Sequence, residues 1–317
     1  MDLILTNEQL AFKKRLSKNI KKYLPFFKNQ KVDCFRLYER DLPDFPYLID
    51  FYRDEEGEVI VLSEKGQRGD FEEKLKVVQE IIYVLLPSLK SIFLKKREKQ
   101  SREFRYQALE QKNEWRKVRE GDFYFLVNYE DYLDTGLFLD FRLYRKFLHS
   151  FIQTPRVLNL FCYTGSLSIA AAKGKEGRVK VTSVDRSKKY LEVAEKNFLL
   201  NDLSPQHHCF VQDSVKDFLI KAKGQETFDV IIFDPPTSSK SKKSSLNFDL
   251  EEDYLAYLSL MRDLLPSSGG LIFFSCNKRG FSPKWGNLPK KVENLTEKMR
   301  PLNHRDSKLN QIYQLYF

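Results

Sequence analysis

The spacing of hydrophobic positions changes near residue 131, and the change predicts two domains. Before that point, an amphipathic helical pattern over 7–29 is followed by short strand-like runs and a second helical pattern near 70–86. After it, apolar strands alternate with amphipathic helices. We therefore expect a smaller N-terminal α+β domain over residues 1–130 and an α/β domain over residues 131–317.

The first helical pattern opens with a start signal. Thr6 precedes it and Gln9 follows three residues later, which is the spacing of a capping box. Leu10, Phe12 and Leu16 then recur at helical spacing among many lysines, so one face is apolar and the other is basic. We expect the basic face to be solvated. Strands are predicted next at 34–38, 47–52 and 59–62, with a hairpin turn at 54–57.

The second pattern predicts a parallel sheet. Apolar runs that are separated by helices lie at 156–161, 179–184, 208–212, 228–233 and 270–275. This alternation of strand and helix is typical of a doubly wound, mostly parallel sheet with helices on both faces. Ligands of such sheets bind outside the carboxyl ends of the strands, so the residues that follow each strand are candidate site residues.

Composition indicates a folded protein, and its positive net charge fits a polyanionic partner and an ordinary basic protein equally well. The 317 residues are 42% hydrophobic, which excludes a disordered chain, and 54 basic against 44 acidic residues give a net charge of +10. The four cysteines have no CxxC spacing, so we predict neither a metal site nor a disulfide framework. No apolar run suits a secretory signal or a membrane span, and we expect a cytoplasmic protein without a membrane partner.

Two basic segments are candidate nucleic-acid contacts. Residues 90–119 contain 11 Lys or Arg and 4 Asp or Glu, with Phe104, Tyr106 and Trp115 among them. Such a mixture can hold phosphates and stack bases, although a solvated loop with aromatic anchors fits the same pattern. The second segment, 237–245, is a polar run with three lysines. The candidate contacts in the two segments are Lys95, Lys96, Arg97, Lys99, Arg102, Lys240 and Lys242.

Three successive strand ends carry residues suited to a nucleoside. The loop FCYTG (161–165) has one glycine where a dinucleotide fingerprint has three, which disfavours a pyrophosphate. Asp185 follows the next strand and can accept the ribose hydroxyl groups of an adenosine. Asp213 follows the third strand and can accept an adenine amino group, although the N-cap of a helix fits it equally well.

The fourth strand end is stiff and polar. Asp234, Pro235, Pro236 and Thr237 follow the strand directly. The two prolines fix the backbone and remove two hydrogen-bond donors. A rigid edge of this kind suits the positioning of a planar base beside a cofactor, so these four residues are the candidate catalytic residues.

In this order, the four motifs resemble those of class I S-adenosylmethionine-dependent methyltransferases. Reading outward, YLDTGLFLDFR (132–142), DPPTSSKSKK (234–243) and SCNKRGF (275–281) are similar to the RlmK-type half of bifunctional bacterial 23S rRNA methyltransferases. FRLYERDLP (35–43) and HRDSKLNQIY (304–313) resemble the same family, so the likeness spans nearly the whole chain. The RNA-binding half of those enzymes has no counterpart in this sequence, and a separate RNA-binding protein is one candidate to replace it; the resemblance also implies an accessory or RNA-binding role for residues 1–130 and a catalytic role for residues 131–317.

The resemblance implies a Rossmann-like fold with a seven-stranded sheet, S-adenosylmethionine as cofactor, and methylation of guanine N7 in 23S rRNA or a large-subunit precursor. The cofactor-binding residues it implies are Asp134, Gly136, Arg142, Phe161, Cys162, Tyr163, Thr164, Gly165, Asp185, Arg186, Asp213, Ser214 and Asp234. Asp234, Pro235, Pro236 and Thr237 would also face the target base. Asn277, Lys278 and Arg279 would line the RNA side.

Other functions stay open. Cys276 stands where a related cytosine-C5 methyltransferase would need a nucleophilic thiol, and where the RlmK-type pattern has Asn. A buried structural cysteine fits the position as well. A second alternative is a non-catalytic assembly factor that binds rRNA on the same fold. A dinucleotide-dependent oxidoreductase is the weakest alternative, because Gly165 is the single glycine of its loop.

Overall fold

The described chain divides into two units. The computed structural model describes residues 4–64, 71–96, 112–174, 179–239, 247–306 and 310–317. Unit 1 comprises Met1–Leu139 together with Leu302–Arg305, and unit 2 comprises Asp140–Pro301 and Asp306–Phe317. The division at Leu139 lies nine residues beyond the domain boundary expected at residue 130, and a short segment near the C-terminus also belongs to unit 1.

Unit 1 contains a four-stranded sheet and a separate hairpin. Its described elements are α1 (Asn7–Asn29), β1 (Cys34–Glu39), β2 (Tyr47–Arg53), β3 (Glu58–Glu64), α2 (Phe71–Leu85), β4 (Leu89–Lys96), β5 (Arg116–Glu120) and β6 (Phe123–Val127). The sheet order is β1-β2-β3-β4. The first two pairs are antiparallel, whereas β3 and β4 are parallel because α2 forms the crossover between them.

The predicted first helix is confirmed, together with its cap. The Thr6 side chain accepts a hydrogen bond from the Gln9 amide at 3.3 Å, and the Gln9 side chain accepts one from the Thr6 amide at 3.0 Å. Phe12, Leu16 and Phe27 on the apolar face are fully buried in the core of unit 1. Burial of this face against the sheet supplies most of the stability of such a helix.

One hairpin was predicted and a second was missed. The turn between β2 and β3 is closed by the Asp54 amide, which donates to the Gly57 carbonyl at 3.0 Å. The β5–β6 hairpin lies partly in the segment that the sequence presented as a basic run. Its signal was the pair Gly121-Asp122 between two short alternating runs, a common two-residue hairpin turn.

Unit 2 carries the larger sheet. Its described elements are α3 (Arg142–Phe151), β7 (Arg156–Leu160), α4 (Ser166–Ala172), β8 (Lys180–Asp185), α5 (Lys188–Leu200), β9 (Cys209–Gln212), α6 (Val215–Ala222), β10 (Val230–Phe233), β11 (Ser238–Ser239), β12 (Phe248–Asp249), α7 (Leu250–Arg262), β13 (Leu271–Cys276), β14 (Lys291–Asn294), α8 (Thr296–Met299) and β15 (Gln311–Tyr316). Each strand predicted from the alternating pattern is present within two residues of its expected bounds.

The order of the strands in this sheet is β14-β15-β13-β10-β7-β8-β9. Strands β13, β10, β7, β8 and β9 are parallel, and β15 runs antiparallel to both of its neighbours. The predicted doubly wound, mostly parallel sheet of seven strands is therefore confirmed. The chain moves from β7 towards β9 on one side and from β10 towards β13 on the other, so the order reverses between β7 and β10. Crevices at such a reversal are the usual ligand sites of this architecture.

Burial explains why the central strands are continuous apolar runs. All four residues of β10 are buried, as are the last four of β7. Strands covered by helices on both faces lose the alternation of polar and apolar positions. Among the described helices, none combines the length and the hydropathy that crossing a bilayer requires.

Candidate active site

The pairing register aligns the carboxyl ends of four strands in unit 2. Leu160 of β7 pairs with Val184 of β8 and with Phe233 of β10, and Asp185 pairs with Gln212 of β9. The residues that come next lie along the same edge of the sheet. They are the loop 161–165, Asp185 itself, Asp213 and Asp234. The structure thus brings the four predicted strand-end motifs to one edge, at the reversal of strand order.

The loop after β7 has an unusual backbone. Phe161, Tyr163 and Gly165 have φ angles of 56°, 51° and 79°. Glycine adopts this region freely, whereas a residue with a bulky side chain held there costs on the order of 1–3 kcal/mol. Two aromatic residues in this conformation indicate a loop whose shape is imposed by its surroundings. Such strain concentrates at ligand-binding and catalytic sites.

Hydrogen bonds from the neighbouring elements hold this loop. The Cys162 amide donates to the Val184 carbonyl at 3.1 Å, and the Tyr163 amide donates to the Asp185 carboxylate at 3.0 Å. From α5, the Asn197 side chain donates to the Thr164 carbonyl at 2.9 Å. The loop is therefore fixed by β8 and α5 without any ligand, which is the preorganisation that a binding loop needs.

Gly165 allows α4 to begin close against α5. A β-carbon at this position would lie 2.9 Å from the Cβ of Ala194, and the φ of 79° is itself unfavourable for other residues. The single glycine of the loop is thus required by packing as well as by backbone conformation.

The carboxylate of Asp185 accepts hydrogen bonds from two backbone amides, one of them in the loop. One carboxylate oxygen accepts from the Tyr163 amide, and the other accepts from the Ser187 amide at 2.9 Å. Burial raises the pKa of Asp185 above its ordinary value, and the amide donors act in the opposite direction. A carboxylate has about four acceptor positions, so capacity remains for a pair of hydroxyl groups.

Asp213 has a different environment. Its carboxylate accepts from the Ser214 amide at 2.8 Å and pairs with Lys221 at 2.6 Å. Ser214, and not Asp213, caps α6, because its hydroxyl accepts from the Asp217 amide at 3.1 Å. The helix N-cap that the sequence suggested at Asp213 is therefore Ser214. Asp213 itself lies at the strand end and forms an exposed ion pair with Lys221.

Asp234 is the most perturbed carboxylate at this edge. The Ser275 hydroxyl donates to it at 2.6 Å. The pKa of Asp234 is raised to about 7, chiefly by burial; the Ser275 hydrogen bond acts in the opposite direction and the charge of Asp140 adds to the rise. Strong perturbation of a carboxyl group in a crevice is a mark of functional sites.

Three side chains around Asp234 were missed in the sequence. Ser275 lies within β13, so the rule that selects the residues following each strand did not mark it. Asp140 and Tyr144 precede β7; Asp140 lies in the motif at 132–142 but was not selected as a site residue, and no motif marks Tyr144. The Tyr144 hydroxyl is buried, has no hydrogen-bond partner among the described residues, and has a pKa raised by burial and by the charge of Asp234.

Cys276 is buried beside the same edge. Burial raises the pKa of its thiol to about 12, the Lys278 amide lowers it, and the charge of Asp234 raises it. A thiol in this state is almost entirely protonated at neutral pH and is a weak nucleophile.

The described candidate RNA contacts have different environments. Lys95 is buried, 2% exposed, and donates to the Tyr132 carbonyl, so we correct its expected role as an RNA contact to a structural one. Lys278 pairs with Glu251 at 2.8 Å, Arg279 pairs with Asp306, and Asn277 is exposed. Only the backbone of Lys96 is described, and Arg97, Lys99, Arg102, Lys240 and Lys242 lie outside the described residues.

The cofactor-binding residues that the resemblance implies before β7 belong to two different units. Asp134 and Gly136 belong to unit 1, where a β-carbon on Gly136 would lie 2.9 Å from the Trp115 ring. Arg142 opens α3 in unit 2 and is buried, and Arg186 after β8 is exposed. Pro235 is buried, whereas Pro236 and Thr237 are half-buried and remain accessible at the edge.

The side chains at this edge suit a nucleoside cofactor better than a metal ion. No group of three or more His, Cys, Asp or Glu side chains with metal-binding geometry is found within the described ranges. What the edge offers is a fixed, glycine-containing loop and carboxylates on successive strands, which can accept hydrogen bonds from ribose hydroxyl and adenine amino groups.

The chain matches a family model, curated relatives and solved structures. A family model described as S-adenosylmethionine-dependent methyltransferase matches residues 88–288. A relative from Vibrio parahaemolyticus serotype O3:K6 (strain RIMD 2210633), named "Ribosomal RNA large subunit methyltransferase K/L", is 37% identical over 96% of this chain and 43% of its own length. One of the same name from Dichelobacter nodosus (strain VCS1703A) is 40% identical over 87% of this chain and 38% of its own length. The chain thus spans less than half the length of these relatives.

Solved structures agree on the fold. The crystal structure of SMU.776 complexed with SAH superposes with a TM-score of 0.77 at 22% identity, covering 100% of this chain and 83% of that one. The S-adenosylmethionine-dependent methyltransferase from Agrobacterium tumefaciens gives 0.53 at 20% identity over 74% of this chain and 71% of that one. With its reversed strand order, its carboxylate-lined edge and these matches, the chain belongs to the S-adenosylmethionine-dependent methyltransferase family, with a class I α/β fold and S-adenosylmethionine as its cofactor.

Proposed function

We propose that this protein methylates N7 of a guanine in 23S rRNA or in a precursor of the large subunit. The shared name of its curated relatives supports ribosomal RNA as the substrate. One observation carries the choice of base: a polar carboxylate edge, Asp234-Pro235-Pro236-Thr237, lies beside Cys276, a thiol too deeply buried to act as a nucleophile. As a modifier of ribosomal RNA, the protein would act in the cytoplasm.

The chemistry at guanine N7 demands little from the protein. The nitrogen has an in-plane lone pair and no proton, so neither a general base nor a covalent nucleophile is needed. When bound, S-adenosylmethionine supplies an electrophilic methyl group. The loop 161–165, Asp185 and Asp213 would hold the cofactor, and the edge 234–237 would orient the base so that the reacting atoms approach in line at roughly 3–3.5 Å.

Asp234 would supply electrostatic stabilisation. Methylation at N7 leaves a positive charge on the base, and a nearby carboxylate stabilises that charge as it develops. With its pKa near 7, Asp234 is partly ionised at neutral pH, and the positive charge that forms on the base favours its ionised state. The Ser275 hydroxyl keeps one carboxylate oxygen in place, so the other is available to the base.

The competing reaction at cytosine C5 needs a thiolate. C5 becomes nucleophilic only after a thiolate adds to C6 of the ring. With a thiol pKa of about 12, Cys276 does not meet this requirement. Burial that keeps the thiol neutral also fits a packing role in the core of unit 2.

Nucleoside analysis tests the proposal. The purified protein and S-adenosylmethionine are incubated with 23S rRNA from the same strain lacking this gene, and the RNA is digested and analysed by mass spectrometry. We expect 7-methylguanosine, located to one nucleotide by fragment mapping. Formation of 5-methylcytidine, or transfer of no methyl group to this RNA, would overturn the proposal.

A further inference from the structure

A basic groove lies on unit 1, between α1 and α2. It has a volume of about 490 Å³. The residues around it include Lys13, Lys14, Lys18, Lys21, Ser17 and Leu85. Four lysines of α1 line this one concave surface.

The groove follows from the two faces of α1. Phe12, Leu16 and Phe27 turn one side of the helix into the core, and Lys14, Lys18 and Lys21 recur at spacings of four and three on the other side. Successive lysines on this stripe are separated by about 5–6 Å along the helix axis. The helix therefore presents a row of positive charges at regular intervals.

These charges are not neutralised within the described chain. α1 contains seven Lys or Arg and one acidic residue, Glu8. Arg15 is paired, 3.8 Å from Asp41, whereas Lys13, Lys14, Lys18 and Lys21 form no ion pair in the part of the chain that the structure describes. Holding four like charges together without counter-ions is unfavourable, so an external polyanion would be bound with a gain in free energy.

We propose that this groove binds the phosphate backbone of the RNA substrate without reading its sequence. The inference rests on the proposed function, because that function makes RNA the polyanion the protein must meet. Lysine is a point charge on a flexible stem and suits phosphate contacts rather than the recognition of base edges. Among the basic residues first considered as RNA contacts, Lys95 is buried and Lys278 and Arg279 are in ion pairs, whereas the groove lysines have no ion-pair partner among the described residues.

Salt-dependent binding tests this surface. A fluorescein-labelled RNA hairpin is titrated with the full protein by fluorescence anisotropy over a salt series. The test variant is Lys14→Ala, Lys18→Ala and Lys21→Ala together, and the matched control is Lys76→Ala, Lys196→Ala and Lys290→Ala, three exposed lysines that do not line the groove. Alanine keeps the helix propensity, and thermal melting verifies that both variants fold.

We expect the test variant to differ from wild type in both the salt dependence of RNA binding and the affinity for RNA. Loss of three phosphate contacts lowers the slope of log K against log salt by about 2–3 and weakens binding near 0.1 M salt by roughly a hundredfold. The control keeps the wild-type slope. Equal slopes for the test variant and the control would overturn the inference, as would loss of binding to vesicles containing phosphatidylserine with RNA binding unchanged, which would indicate a membrane surface instead.

Failure of the proposed function gives a different result. In that case the wild-type protein transfers no methyl group to 23S rRNA, whatever the salt slope of the variants. If the groove inference alone is wrong, the wild-type and test variant methylate the RNA equally and bind the hairpin with equal affinity.

Discussion

Asp234 combines a cost in stability with a role in the proposed reaction. Its pKa of about 7 in the folded protein lies above the ordinary value of 3.8. Between these two values the unfolded chain has lost the proton that the folded chain still holds, so the free energy of unfolding falls as pH rises from about 4 to 7. Above pH 7 the folded protein carries a buried charge that the fold does not favour.

Replacing Asp234 with Asn separates the two effects. Asn keeps an oxygen that accepts from Ser275 but carries no charge, so we expect the free energy of unfolding to rise by about 4 kcal/mol more at pH 8 than at pH 4. We expect methyl transfer at pH 8 to fall by about a hundredfold or more. Urea denaturation at both pH values and a transfer assay measure these changes. A variant less stable than wild type at pH 8 would contradict the cost assigned to the buried charge. A folded variant with full activity would remove Asp234 from the mechanism.

The ionisation of Asp234 also predicts a pH profile. Only the carboxylate stabilises the positive charge on the methylated base, so kcat/KM should rise with pH and level off above about 7. Asp234→Asn should lose this rise and leave a flat profile at a low rate. A wild-type rate that is constant from pH 5.5 to 8.5 would contradict this assignment.

Cys276 is the residue that distinguishes the two bases. Because its thiol is buried and neutral, Cys276→Ser should keep methyl transfer within about threefold of wild type, apart from a small loss of stability. Transfer assays and thermal melting measure the two effects. Complete loss of transfer in a folded variant would favour the cytosine reaction.

Among the elements, the loop between β7 and α4 shapes the site most strongly. Its conformation depends on Gly165, where a β-carbon would meet Ala194 and where φ is positive. Gly165→Ala should lower the free energy of unfolding by about 1–3 kcal/mol and weaken S-adenosylhomocysteine binding by at least about tenfold.

A matched control separates backbone strain from packing. Gly224 also has a positive φ, 73°, but a β-carbon there has no neighbour within 4 Å. Gly224→Ala should cost about 1 kcal/mol and leave the affinity unchanged, as measured by calorimetry with S-adenosylhomocysteine. Equal affinities for the two alanine variants would show that the loop does not hold the cofactor.

The spacing of hydrophobic residues predicted most of the helices and strands. It missed features that depend on contacts between elements distant in sequence. The strands of the large sheet were predictable because burial on both faces makes them continuous apolar runs. β14, Lys291–Asn294, is a partly exposed edge strand with no such run and was missed. The positive φ angles of Phe161 and Tyr163 have no sequence signal, since neighbouring elements impose them.

At the scale of the whole molecule, topology explains how distant motifs form one site. Asp185, Asp213 and Asp234 are far apart in sequence, and the parallel register brings them to one edge of the sheet in unit 2. The expectation of a parallel sheet was therefore enough to predict that these residues meet. Charge partners were not predictable, because the burial of Lys95 and the ion pairs of Lys278 and Arg279 depend on how elements pack.

The central claim is that this edge holds the cofactor beside Asp234. A crystal structure of the protein with S-adenosylhomocysteine tests it most directly. We predict a nucleoside whose ribose hydroxyl groups contact Asp185, with the loop 161–165 against it and the sulfur facing the side of Asp234 and Thr237. A ligand bound at another place, or a crevice that the side chains of the protein fill in a ligand-saturated crystal, would contradict the account.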